Sequence, residues 1–136
     1  LIVDTGLVTY NINGSCQFSF NPTDSGFVEK LFNAFDTLDK KQDAYKAEVE
    51  KTANKREVFE TARKMDEEMR DIINDLFEQD IADTLFGSVN AYSAANGAPV
   101  WQNFMMAIID QFDEATKREQ ALADEKIRKY TQKYKK

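Results

Sequence analysis

The strongest constraint on the fold is the segment from Phe27 to Phe86, which contains neither glycine nor proline. These two residues interrupt regular helices, so their absence over such a length favours long helices. The whole chain has only five glycines and two prolines. That scarcity argues against a sandwich of many short strands, because such a fold needs frequent turns.

Two apolar patterns with helical spacing lie in this segment. Both advance in steps of three and four residues, which places their members on one face of a helix. The first has one polar member, Gln42, and otherwise consists of Leu31, Phe35, Leu38, Tyr45 and Val49. The second consists of Val58, Ala62, Met65, Met69, Ile72 and Leu76. The two patterns are out of phase, and the change falls between Thr52 and Lys55.

Two structures are consistent with this change of phase. Either two helices meet at a turn near Asn54, or one long helix rotates its apolar face. A compact domain favours the turn, since folding back lets the two apolar faces cover each other. A single helix would instead need another subunit to cover both faces. The helix through Leu76 is expected to end at Gly87, because glycine is a common residue just after a helix.

The first twenty residues are expected to form β structure. Asn13-Gly14 is a strong indicator of a tight hairpin turn, and apolar residues alternate with polar ones on both sides of it. Leu1–Val3 is expected to add a third strand. A two-stranded hairpin is marginally stable in water, so its apolar face must pack on helices or its edge must pair with another chain.

The C-terminal part is expected to form one further helix. Residues 88–98 are small and uncharged and indicate a connector with one short helical turn. Pro99 suits the first turn of a helix, and a dense apolar stripe follows from Trp101 to Phe112. Beyond Phe112 the segment is highly charged, so its last half is expected to project from the body or to lie in a partner's groove.

The predicted fold is therefore mainly α (α+β), with an N-terminal β-hairpin followed by long antiparallel helices that form a helical bundle. One domain is expected over residues 1–136. It comprises the hairpin at 1–20, a helical hairpin or long helix at 24–86, and the C-terminal helix at 99–134.

Charge is distributed unevenly along the chain. Residues 126–136 contribute +6 to a net charge of −6, so residues 1–125 carry −12. An acidic body disfavours nucleic-acid binding. No apolar run is long enough to cross a membrane, and the N-terminus does not have the pattern of a secretory signal.

The residue types disfavour catalysis. Histidine is absent and Cys16 is the only cysteine, which removes the commonest general base and metal ligand and any Cys–His pair. The carboxylates between Glu67 and Glu78 are expected to form a solvated face. No catalytic residue, metal or cofactor is expected.

Aromatic residues are the candidates for partner contact. Trp101 starts the C-terminal stripe, where its spacing with Phe104 and Ile108 favours the core over an interface anchor. Tyr130 and Tyr134 are four residues apart on the lysine-rich end of the same helix. In the hairpin the candidates are Tyr10, Phe18 and Phe20. Aromatic side chains frequently anchor protein interfaces.

Two segments carry a resemblance to a known group of proteins. They are Asp83-Thr84-Leu85-Phe86-Gly87 and Asn96-Gly97-Ala98-Pro99-Val100-Trp101-Gln102-Asn103-Phe104, followed by the Tyr- and Lys-rich end at 129–134. The chain resembles tail assembly chaperone-like and tail accessory proteins, which phages and prophages of Gram-positive bacteria encode in their tail gene clusters.

The resemblance implies a non-catalytic protein that binds tail tube or tape-measure components in the cytoplasm of the bacterial host. A homo-oligomer is also expected. The alternative is a coiled-coil oligomeric scaffold or virion structural component built on the long-helix option.

Overall fold

The computed structural model describes the backbone of residues 1–134 and the side chains of residues 1–133. It contains two antiparallel strands, β1 (Val8–Ile12) and β2 (Cys16–Phe20). Two long helices follow, α1 (Ser25–Lys51) and α2 (Lys55–Phe77), and then a short helix, α3 (Ala82–Phe86). Two very short strands, β3 (Ala94–Ala95) and β4 (Ala98–Pro99), precede the longest helix, α4 (Val100–Tyr134). The mainly α fold with an N-terminal hairpin is confirmed.

The hairpin forms as predicted. Asn13 and Gly14 have φ angles of 54° and 77°, and a type I′ turn requires positive φ at both central residues. The register pairs Val8 with Phe20 and Ile12 with Cys16. The apolar residues of both strands consequently share one face, and that face packs against the helices.

The predicted third strand at Leu1–Val3 is absent, because the chain turns away before β1. Gly6 has a φ angle of 79°, and the Asn21 side-chain amide donates to the Thr5 carbonyl at 2.8 Å. A Cβ atom on Gly6 would lie 2.7 Å from Asn21 Nδ2. Residues 4–6 therefore pass over Asn21 rather than alongside β1, and Leu1–Val3 is exposed.

The turn near Asn54 is confirmed, and the single long helix over 27–86 is not formed. Thr52 and Asn54 both have extended backbone, and Asn54 caps α2 by accepting a hydrogen bond from the Arg56 N–H. Asp24 caps α1 in the same manner. α1 and α2 are antiparallel, since Phe27 near the start of α1 packs against Phe77 at the end of α2.

The predicted end of the second helix at Gly87 is wrong. α2 ends at Phe77, where Glu78 adopts a left-handed conformation with a φ angle of 53°. The side-chain oxygen of Asn74 then accepts hydrogen bonds from the N–H groups of Ile81 and Ala82, at 2.9 and 2.8 Å. These bonds start α3, and it is α3 that ends at Gly87.

The buried face of α2 also differs from the predicted one. Met69, Ile73 and Phe77 are buried in steps of four residues, whereas Ile72 and Leu76 are only half-buried. In α1 the predicted pattern holds better, because Leu31, Leu38 and Gln42 are its buried members.

The connector between α3 and α4 is a second small hairpin rather than a helical turn. Asn96 and Gly97 have φ angles of 54° and 87°, and β3 pairs with β4 through this turn. Pro99 belongs to β4, and α4 begins one residue later.

One core unites the hairpin and the helices. Its largest fully buried side chain is Trp101, near the start of α4. The Trp101 ring packs against Phe35 at 5.4 Å between centroids, and its Nε1–H donates to Gln42 Oε1 at 2.8 Å. Gln42 is thus a polar residue retained in the core as the acceptor for the indole.

We expect Gln42→Met to lower the free energy of unfolding by about 1–3 kcal/mol, because it leaves a buried indole N–H without an acceptor. In a Trp101→Phe background, which lacks that donor, the same substitution should cost much less. Urea denaturation of the four proteins in this double-mutant cycle measures the coupling. Additive effects would show that the hydrogen bond contributes nothing.

Candidate protein-interaction site

The last part of α4 extends past the body of the protein. α4 runs antiparallel to α1, since Trp101 lies beside Phe35 whereas Ala115 lines a surface depression with Pro22 and Thr23, just before α1 begins. Beyond this level α1 offers no further surface for packing. Residues 116–134, hereafter the distal half of α4, span about 28 Å at 1.5 Å per residue. Every described side chain from 116 to 133 is exposed.

The apolar face that packs in the core continues into the distal half. Trp101, Ile108 and Ala115 are spaced seven residues apart, which is close to two helical turns, and they are 0%, 1% and 1% exposed. The next residue in this series is Leu122, which is 52% exposed. Ile127 and Tyr130 add apolar surface near the same side and are 64% and 67% exposed.

Charged residues surround this apolar surface. Lys129 pairs with Glu125 at 3.2 Å, one helical turn away, and the Gln120 amide donates to Asp124 at 3.0 Å. Such exposed pairs contribute little stability. An apolar stripe bordered by charges is the pattern of a helix that packs into a groove on a partner.

Three of the six predicted contact residues lie in the core. Phe18, Phe20 and Trp101 are buried, and Phe18 packs against Phe77 at 5.0 Å between ring centroids. Their aromatic surface is covered by other parts of the same chain, so in this fold it is not available to a partner.

Of the other three, Tyr10 is half-buried and stacks on Phe20 at 4.5 Å. Its hydroxyl is buried and has no hydrogen-bond partner among the described residues. Tyr130 is exposed on the distal half of α4. The backbone of Tyr134 is helical, but its side chain lies outside the described residues, as do Lys135 and Lys136 of the basic end.

The sequence did not reveal the role of Arg70. Its guanidinium bonds Asp66 and Asp83, each at 2.9 Å, and donates to the carbonyls of Gly87 and Val89 at 2.9 and 2.8 Å. These contacts join α2 to α3 and to the loop that leads to β3. Asp66 was indistinguishable in sequence from the neighbouring carboxylates, which are exposed as predicted; these are Glu67, Glu68, Asp71, Asp75 and Glu78.

Burial affects three titratable side chains. It raises the pKa of the Cys16 thiol, whose Sγ lies 3.8 Å from the Ile81 carbonyl oxygen. Tyr45 and Tyr92 stack face to face at 4.4 Å. Burial and then Asp66 raise the pKa of Tyr45. Burial, followed by Glu68 and Asp66, raises the pKa of Tyr92 to about 12.

Within residues 1–133 no group of three or more cysteine, aspartate or glutamate side chains is arranged to hold a metal ion. Nor does any helix of the described chain combine the length and hydropathy needed to cross a bilayer.

Comparison of the chain with protein-family models, with curated proteins and with solved structures finds no match.

Tyr92 generates a prediction about alkaline stability. Its hydroxyl is buried and has no hydrogen-bond partner within the part of the chain that the structure describes, so Tyr92→Phe should leave the free energy of unfolding at pH 7 unchanged or raise it. An unfolded tyrosine ionises near pH 10, whereas the pKa of folded Tyr92 is about 12. Below pH 10 the hydroxyl is protonated in both states, so stability is unaffected by its titration. Between pH 10 and pH 12 it ionises mainly in the unfolded state, which lowers the free energy of unfolding by on the order of 2 kcal/mol.

Urea denaturation of both proteins between pH 7 and pH 12 measures this difference. The variant should lose less stability than the wild type above pH 10. Parallel curves for the two proteins across that range would contradict the assignment to Tyr92.

Proposed function

We propose that this protein is a non-enzymatic assembly protein that binds a protein partner through the distal half of α4. The observation that carries the proposal is the continuity of the core face of α4, from buried Ala115 to exposed Leu122. A helix that keeps its apolar stripe after leaving its own body presents that stripe for another protein to cover.

The proposal includes the class that the sequence resemblance implies, a phage tail assembly chaperone or structural accessory protein. Such a protein acts in the cytoplasm of the bacterial host and binds tail tube or tape-measure components. The acidic body and the helix that extends from it are compatible with this role, because binding needs one exposed apolar surface and no reactive cleft.

A second candidate function is an oligomeric coiled-coil scaffold or virion component. The long-helix form of that hypothesis required a continuous helix over 27–86, and the turn at Asn54 removes it. The length of α4 is the observation that still favours a scaffold, with the distal half pairing with its counterpart in another copy.

Affinity capture tests the proposal with two matched variants. Ile127→Glu with Tyr130→Glu adds two negative charges to the apolar side of the distal half. Ala121→Glu with Gln132→Glu adds the same charge on the opposite side of the helix. We expect the first variant to bind the partner about tenfold more weakly or worse, and the second to bind like the wild type.

The tagged protein is used to capture tail tube or tape-measure protein from a lysate of phage-infected Gram-positive cells, with quantification by mass spectrometry. Circular dichroism confirms that both variants remain helical. Equal capture by the two variants, or no capture of a tail component by the wild type, would contradict the proposed function.

A further inference from the structure

The outer edges of β1 and β2 differ in the hydrogen bonding of their backbone groups. On the outer edge of β2 the Ser19 N–H donates to Gln79 Oε1 at 3.2 Å, and Gln79 Nε2 donates to the Ser19 carbonyl at 2.8 Å. The amide of Gln79 thus occupies the place that a neighbouring strand would take. Both polar backbone groups of Ser19 point away from β1.

This geometry fixes the direction of the backbone groups on β1. Thr9 is the register partner of Ser19. In an antiparallel ladder, two opposite residues either exchange both hydrogen bonds or point both sets of groups outward. The N–H and C=O of Thr9 therefore point to the outer edge of β1, and the alternation along a strand gives the same direction for Asn11.

That outer edge is open. Thr9 and Asn11 are exposed, and β2 is the only strand that pairs with β1 within residues 1–134. The preceding residues do not cover the edge, because Gly6 and Asn21 direct them past the end of β2.

The edge also lacks the usual protection against pairing. Exposed edge strands are commonly blocked by charged side chains, proline or a bulge. β1 has none of these in its sequence, Val-Thr-Tyr-Asn-Ile. No charged residue occurs between Thr5 and Thr23, in a chain of which 31% is charged.

We infer that the outer edge of β1 pairs with β1 of a second copy of this chain, antiparallel about a two-fold axis at Tyr10. In this register Thr9 faces Asn11 of the second copy, and Val8 faces its Ile12. The outward N–H and C=O groups of Thr9 and Asn11 then meet their counterparts, because the sequence of donors and acceptors is symmetric about Tyr10. The two hairpins become one four-stranded sheet.

Side chains and charge both favour a second copy as the occupant. The half-buried residues Val8, Tyr10 and Ile12 extend the apolar face across the junction, while Thr9 and Asn11 remain on the opposite, polar face. Two bodies that each carry −12 over residues 1–125 repel each other. The segment from Thr5 to Thr23 carries no charge of its own, and the charged residues that line a depression with Val8, namely Asp4, Arg118 and Glu119, are of both signs, so two copies can approach here with few like charges in contact.

The test measures mass in solution by light scattering and sedimentation over a range of concentrations. The wild type should approach twice 15.6 kDa as concentration rises. Thr9→Pro removes an N–H that makes no bond within the hairpin, and proline is tolerated where the N–H faces outward on an edge strand. This variant should retain its circular dichroism spectrum and have the mass of one chain.

A pair of charge variants tests the register and does not rely on the fold of the proline variant. Thr9→Lys with Asn11→Lys places like charges opposite each other across the axis and should weaken the dimer at least tenfold. Thr9→Glu with Asn11→Lys places opposite charges there and should preserve it.

Three outcomes would overturn the inference. The wild type could remain a single chain at every concentration, in which case an open edge would serve a foreign strand or none. The proline and double-lysine variants could dimerise like the wild type. The dimer could instead dissociate on Ile127→Glu with Tyr130→Glu, which would assign it to α4. Because the edge and the distal half of α4 are altered separately, failure here leaves the proposed function to its own test.

Discussion

The packing of the hairpin and the long helices against one another depends on the contacts of the Phe77 ring. Phe77 is the last residue of α2, and it packs against Phe18 of β2, Phe27 of α1 and Phe104 of α4, with ring centroids 5.0 to 5.6 Å apart. A two-stranded hairpin has little stability alone, so β1 and β2 are ordered because this cluster covers their apolar face. Aromatic pairs at these distances add specific geometry to the area they bury.

The position of Phe77 at a helix end has a second consequence. Because Glu78 takes a left-handed conformation, the chain leaves the helix and brings Gln79 beside β2, where its amide bonds Ser19. Had α2 continued, the outer edge of β2 would have lacked this amide. One residue in an uncommon backbone conformation therefore brings Gln79 to the outer edge of β2 at Ser19, whereas the path of residues 4–6 past Asn21 leaves the edge of β1 open.

The sequence predicted the elements whose causes are local. The Asn13-Gly14 turn depends on a few neighbouring residues and was found as predicted. The turn near Asn54, one of the two structures consistent with the change of phase, was also found. The end of α2 depends on Asn74 reaching Ile81 and Ala82, and no glycine or proline indicates it. The Asn96-Gly97 hairpin carried the same turn dipeptide as the first, but small residues beside it offered no alternation to indicate strands.

The candidate site was harder to predict, because a sequence does not show which of its apolar residues will be buried. Trp101 and Leu122 fall in the same seven-residue series on α4, yet one is fully buried and the other about half exposed. The difference arises from α1, which begins at Ser25 and gives no cover beyond the level of Ala115. Only the relative lengths and offset of two helices, far apart in sequence, determine this result.

The open strand and the distal half of α4 lie near the same end of the molecule, since Val8 and Arg118 line one surface depression. Pairing of two copies through β1 would consequently bring two distal halves of α4 into one assembly. A partner with repeated subunits would then meet two linked binding helices, and linkage makes the second contact effectively intramolecular. Under that arrangement exposed side chains such as Leu122 and Ile127 would need to make only weak contacts at each site. Binding would still be stable, because both linked sites contribute to the free energy of association.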